Sequence, residues 1–199
     1  MDVEGYARRN LKKGRASQDI ISDLADRIVE IKGTSREYAL SFAKAVMVEV
    51  TATSDLTSDI LTYEKAGVSM GAFGVGSRGT GDFYAHRKIA EIIGNSGATV
   101  GVEDMDDAGV VQAGGQYIVC TVDGMHSRLS DFPYLAGFHV TRATLRDCYV
   151  MGARPVMLFS DIHVADDGDV AKIFDYTAGV TTVGELTAVP LVSGSTLRI

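Results

Sequence analysis

The residues best suited to chemistry are acidic. Glu103-Asp104-Met105-Asp106-Asp107 packs four carboxylates into five positions between an expected helix and an expected strand. Like charges this close repel, and each resists ionising beside the others. A divalent cation relieves that strain, and so does a fully solvated turn, so the cluster has two readings. A second acidic position ends an apolar run, Tyr117 to Val122, at Asp123-Gly124. A carboxylate placed there sits at a mouth and not in a core. His126 follows closely and is either a phosphate or substrate contact or a solvated loop histidine. The third position, Asp147, lies in an apolar stretch with Leu145, Tyr149, Val150 and Met151. A carboxylate among such neighbours needs a partner. Arg142, Arg146 or a metal ion can each supply it.

A second chemical feature is glycine-rich. Gly67 to Gly81 reads GVSMGAFGVGSRGTG, and Gly74 to Gly79 matches G-x-G-x-x-G. A Rossmann loop must follow a strand and open directly into a helix, whereas the preceding residues read as helix or coil. A P-loop would need Gly-Lys-Ser/Thr, which is missing. What survives is physical. Glycines let backbone N–H groups converge on an anion, Arg78 adds a planar cation, and a helix N-terminus follows. Gly74, Gly76, Ser77, Arg78, Gly79 and Gly81, with Asp123, Gly124 and His126, are therefore the candidate phosphate contacts. The alternative is a mobile linker.

The elements that must position these residues change character along the chain. Residues 2–66 read as helical. Ser17 can cap a helix carrying Ile20, Ile21, Leu24, Ile28 and Val29 at 3-4 spacing, ended by Gly33. Thr34 to Glu37 reads as a capping box opening a helix to about Val50, and a shorter helix is expected over Asp55 to Lys65. After the glycine loop, Asp82 can cap a helix lined by Ile89, Ile92 and Ile93. Ala113-Gly114-Gly115 signals a hairpin between Val110-Val111 and Tyr117–Val122. A helix over Val140–Met151, a strand over Pro155–Phe159, a helix over Ala165–Thr177 and a strand over Leu186–Val192 complete the pattern.

Composition bounds the classes. The chain has 199 residues, 46 % hydrophobic and 23 % charged, which suits a packed core. A net charge of −7 argues against non-specific nucleic-acid binding. It does not argue against a nucleotide held through magnesium. Cys120 and Cys148 form no CxxC or Cys/His cluster, so structural zinc is not expected and two reduced, mostly buried thiols are. No apolar run approaches the ~20 residues that span a membrane. No signal peptide is evident, and a cytoplasmic setting is the default.

In order, these motifs resemble the N-terminal domain of the PurM-type superfamily: aminoimidazole ribonucleotide synthetase, thiamine-monophosphate kinase, selenophosphate synthetase and HypE. Gly81-Asp82-Phe83 is similar to the family's Gly-Glu-Phe helix start, and Asp106-Asp107-Ala108-Gly109 to its Gly-Asp-Asp-Ala turn. Thr121-Val122-Asp123 resembles its Thr-Asp strand end, with one insertion. Asp131-Phe132-Pro133-Tyr134 is similar to the Asp-Asp-Pro-Tyr of selenophosphate synthetases. Thr144 to Pro155 resembles Asn-x-x-Asp-hydrophobic-x-x-Met-Gly-Ala-x-Pro, and Ser193 to Thr196 stands where a last Gly-Gly-Asp/Glu-Thr turn is expected.

The departures are Met105 for a glycine, Thr144 for the asparagine and Ser195 for an acidic residue; the glycine loop also lacks the cysteine of selenophosphate synthetase. The resemblance implies an α+β fold: a four-stranded, mainly antiparallel sheet backed by helices, with an N-terminal helical extension. The expected division is 1–66 helical, 67–81 glycine loop and 82–199 PurM-like domain, with the family's C-terminal domain outside this chain. The resemblance further implies Mg2+ held by Asp106, Asp107, Asp123 and Asp147, ATP, a small-molecule substrate and a homodimer. The activity implied is a kinase or synthetase. The alternatives are a non-catalytic maturation protein of the HypE kind and, from G-x-G-x-x-G, a dinucleotide-binding oxidoreductase.

Overall fold

The computed structural model describes residues 2–125, 131–165 and 167–198. They divide into two compact units, Met1–Val68 and Ser69–Ile199.

The first unit is helical. Helix α1 (Val3–Lys12) is capped by the Asp2 carboxylate, which accepts the Gly5 N–H at 3.0 Å. Helix α2 (Ser17–Lys32) ends at Gly33, whose φ of 61° suits a glycine C-cap. Ser17 is the first helical residue and Ala16 precedes it as the cap, so the expected Ser17 cap is displaced by one position. Helix α3 (Arg36–Ala52) is capped by Ser35, whose Oγ accepts the Tyr38 N–H at 3.2 Å. The expected Thr34–Glu37 box is thus one residue out of phase: Ser35 is the extended cap residue, and its side chain makes the cap hydrogen bond. Ile20, Leu24 and Ile28 of α2 meet Ala39, Ala43, Val46 and Val50 of α3, with Ala7 of α1 closing the core. Where a helix was expected over 55–65, a single 3-10 turn forms at Asp59–Leu61.

The second unit is α+β. After the short helix α4 (Met70–Phe73) comes α5 (Thr80–Ile93). Strands β1 (Gly109–Ala113) and β2 (Gln116–Cys120) pair antiparallel, with Ala113 opposite Gln116. The two residues between them, Gly114 and Gly115, have φ of 56° and 78°. This is the hairpin turn that demands positive φ at both centres. Helix α6 (Pro133–Val150) starts well before the expected Val140, at a proline in its first position. Strand β3 (Leu158–Val164), helix α7 (Ala171–Thr187) and strand β4 (Leu191–Arg198) then form one crossover unit.

β3 and β4 are parallel, and the described strands form two separate pairs, not one four-stranded, mainly antiparallel sheet. The reason lies in the connection. A helix between two strands returns the chain to the end where it began, which produces parallel neighbours. Leu145 of α6, Leu158 of β3, and Val180 and Val183 of α7 share a core with Val189. Gly137 of α6 and Gly179 of α7 let the two helix backbones touch: a Cβ on Gly179 would lie 2.1 Å from the Tyr134 carbonyl oxygen. The β3–β4 pair exposes Phe159, Val192 and Leu197.

Candidate functional site

The glycine loop is ordered by one carboxylate. Gly74 and Gly76 have φ of 85° and 83°, and Arg78, a non-glycine, has 56°. Asp82 lies inside α5, two positions beyond its first residue, and is buried. Its two oxygens accept the N–H groups of Gly76 at 3.0 Å and Arg78 at 3.1 Å. The His86 Nε2 stands 3.7 Å from the same carboxylate. The Gly76 hydrogen bond, opposed by burial and helped by Arg78 and His86, holds the Asp82 carboxyl below the usual carboxylate range. Asp82 is therefore not the helix cap expected from sequence; Gly79 occupies that position. Two of the loop's N–H groups that looked free for an anion are taken by a carboxylate of the same chain. The loop is also preceded by α4, not by a strand, which removes the structural context a Rossmann fingerprint requires.

The acidic turn comes next. A 3-10 turn (Val102–Asp104) leads to Met105 at φ 53°, in the left-handed region. Asp104 accepts the Gly101 N–H at 2.7 Å, and the Asp106 carboxylate accepts the Asp107 N–H at 2.9 Å. Asp106 and Asp107 line a cleft of about 360 Å³ with His86, Met105 and Cys120. Cys120 is exposed and Cys148 half-buried, both unbridged, so the expectation of mostly buried thiols fails at Cys120. Thr121, one residue past β2, donates its hydroxyl to the Asp107 carbonyl at 3.1 Å and ties the two acidic segments together.

Asp147 on α6 is 7 % exposed. Its Oδ1 accepts both Nε (3.2 Å) and Nη2 (3.0 Å) of Arg146. Of the two arginines open to it in sequence, Arg146 is the one bonded; Arg142 instead stacks its guanidinium 5.9 Å over the Phe138 ring. Burial, then the charge of Asp147, pushes the Asp123 carboxyl up; Asp107 adds to this, and Arg146 and Arg78 oppose it. Asp123 thus feels the charges of Asp147 and Asp107, with Arg146 and the loop's Arg78 as the countercharges. Asp106 shares the cleft with Asp107, and Gly124 is exposed beside Asp123. His126 lies outside the described residues.

Among the described residues, no three His, Cys, Asp or Glu side chains stand close enough to form a metal cage. Ser193 to Thr196 is not a turn: it lies within β4, with Ser195 opposite Asp161 of β3. Sequence reasoning missed the latch formed by Asp82. Its signal was an acidic residue at the start of a helix that directly follows positive-φ glycines. No helix among the described residues is long and apolar enough to cross a membrane.

Residues 105–198 match the family described as AIR synthase related protein, N-terminal domain. The match begins at Met105 and takes in all four aspartates. The whole chain is similar, at 54 % identity over 209 aligned residues, to an uncharacterized protein of Methanocaldococcus jannaschii. The chain spans about half the length of that relative, 46 % of it.

Proposed function

We propose that this chain, whose residues 105–198 are an AIR synthase related N-terminal domain of the PurM-like superfamily, handles ATP and magnesium for an enzyme that phosphorylates or activates a small molecule. The carrying observation is a mostly buried Asp147 carboxylate held by Arg146 on α6, with Asp106 and Asp107 lining a cleft and all four aspartates on the segments that the family match covers. These are hard oxygen donors with an excess of negative charge, and a cation already sits against Asp147. Magnesium is commonly held by one or two carboxylates together with substrate phosphates and needs no complete protein cage. Asp106 or Asp107, Asp123 and Asp147 would hold it. When bound, the ion supplies charge neutralisation at the phosphates.

The chain's own residues do the positioning. Arg78 and Ser77 on the glycine loop, with Gly74, Gly79, Gly81, Gly124 and His126, are the proposed phosphate neighbours. The Gly76 N–H is committed to Asp82 and can join them only if that bond opens. A homodimer belongs to the same reading, supported by the apolar side chains exposed on β3 and β4; light scattering that gives a monomer at micromolar concentration counts against it. A cytoplasmic setting fits it as well.

Calorimetry on the full chain tests the proposal. ATP binding that requires magnesium and is weakened by Asp123→Asn or Asp147→Asn supports it. NAD binding without magnesium sinks it. A second reading, a nucleotide-binding maturation or assembly protein, is favoured by Ser195, which lies inside β4 where the family carries an acidic turn residue. ATP turnover by the natural full-length protein separates the two.

A further inference from the structure

We infer that the apolar groove of the helical unit is covered by a second copy of this chain, and that the covering element is residues 55–65, the segment that follows α3. The contact is separate from the aspartates and from β3 and β4.

The groove lies where α1 and α3 begin and α2 ends. Val3, Ile28, Ile31, Tyr38 and Phe42 line about 260 Å³, with Lys32 as the one cation of its wall. Tyr38 and Phe42, one turn apart on α3, stack with ring centroids 6.3 Å apart. Ile31 is 61 % exposed, and both rings are exposed as well, so the wall is apolar and uncovered.

The segment is its complement. Every residue from Asp55 to Lys65 is exposed, including Leu56, Tyr63 and Ile60, the last at 92 %. Their spacing of four and three places all three on one face of a helix. Yet only a single turn forms, at Asp59–Leu61. A segment this short does not hold a helix in water unless its apolar face is buried. Asp55, Asp59 and Glu64 accompany the stripe and complement the charge of Lys32.

The chain's own segment is badly placed for its own groove. Its junction with α3 is tied down: Arg8 Nη2 donates to Thr53 Oγ at 2.6 Å, and the Ser54 hydroxyl donates to the Val50 carbonyl at 2.6 Å. The groove is at the other end of α3, about 15 Å from Ala52 along the helix axis, and no residue of 55–65 lines it. The segment would have to double back at the fixed junction to fill it. A second copy has no such constraint. With a twofold axis the exchange occurs twice. Leu56, Ile60 and Tyr63 with Ile31, Tyr38 and Phe42 of both copies, at about 100 Å² each, remove roughly 1,200 Å² from water, enough for a stable interface.

The test is hydrogen exchange of the full chain at two concentrations. Protection of 55–65 is expected to rise about tenfold between roughly 1 and roughly 100 µM, as mass action demands of a contact between copies. Ile60→Asp and Phe42→Asp should each abolish the rise. Both positions are exposed, and Ile31→Asp replaces Phe42→Asp if that variant does not fold. An equal mixture of the two variants is decisive. The Ile60→Asp chain keeps an intact groove and the Phe42→Asp chain an intact segment. Protection should therefore return on the Phe42→Asp chain alone, whose 55–65 peptide differs in mass from that of its partner. Protection that is equal at both concentrations means that the segment docks within its own chain, and overturns the inference. So does a segment unprotected at every concentration, which leaves the groove to some other partner, and so does a mixture without recovery.

Discussion

Replacing Gly179 by alanine tests whether the contact between α6 and α7 is what sets the position of Asp147. The added Cβ would lie 2.1 Å from the Tyr134 carbonyl oxygen and 2.8 Å from the Phe138 nitrogen. The carbonyl contact is about 1.3 Å short of the 3.4 Å where ordinary contact begins. Both obstacles are backbone, so no side chain can rotate away and the helices must part. Gly137 faces the same interface, its Cβ position 2.2 Å from the Tyr176 carbonyl oxygen, so the two backbones interlock from both sides. Parting them loosens Leu145, Val180 and Val183 in the shared core and pulls on the Tyr134–Thr182 hydrogen bond of 3.0 Å. Overpacking of this kind costs about 1–3 kcal/mol, and an obstacle made only of backbone places this case toward the upper end. The expected fall in Tm is on the order of 5–10 °C. The assay is urea unfolding followed by circular dichroism, with hydrogen exchange of α6 peptides assigning the transition. Gly71→Ala is the control: nothing lies within 4 Å of its added Cβ and its φ is not positive, so stability should stay within about 0.5 kcal/mol. A Gly179→Ala protein as stable as wild type refutes the account. If α6 moves, manganese binding should weaken in the same variant.

Other perturbations separate the loop, the turn and the carboxylates. Asp82→Ala releases the Gly76 and Arg78 amides, so their hydrogen exchange should speed up relative to wild type. Because the folded protein depresses the Asp82 carboxyl, its stabilisation is present above the ordinary value of 3.8 and is lost as pH falls through the depressed value; the stability gap to the variant should close at acid pH. Asp123 is pushed the other way, so its ionised form opposes folding at neutral pH. Asp123→Asn should therefore melt above wild type at neutral pH while binding manganese more weakly, and its thermal advantage should vanish as pH drops below 3.8. Met105→Gly removes a side chain from φ 53°. Relief of about 1 kcal/mol of left-handed strain outweighs the 0.5 kcal/mol or so of extra backbone entropy, so a small rise in urea midpoint is expected.

Much of the framework was legible because local physics decides it. The 3-4 spacing of Ile20, Leu24 and Ile28 leaves α2 one buried face, and that face is the core. Two consecutive glycines admit the primed hairpin turn and little else, so Gly114-Gly115 identified β1 and β2. The aspartate-bearing segments were legible by order, and the matched family covers them. Other features were not local. Thr34 and Ser35 are both capable caps by residue type, so the sequence alone does not decide between them. Short apolar runs such as Leu158–Val164 and Leu191–Arg198 carry no mark of their partner, so parallel pairing across α7 could not be read from them. The glycine loop showed that its N–H groups converge, but not that Asp82 supplies the anion they converge on.

Asp147 shows what such reading can and cannot decide. A carboxylate in an apolar helix face requires a cation, and the sequence offered Arg142, Arg146 or a metal. Physically these are one requirement with three solutions. Arg142 is one turn back on α6, and its guanidinium is taken by the face of Phe138. Arg146 is left as the protein-supplied cation, itself more than half exposed and bonded at 3.0 Å to a mostly buried carboxylate. The water-exposed guanidinium of Arg146 offsets the mostly buried charge of Asp147 in the folded chain. Removing that cation leaves a mostly buried carboxylate uncompensated, so Arg146→Gln should lower the urea midpoint relative to wild type, and an unchanged midpoint would show that Arg146 does not serve as the partner of Asp147.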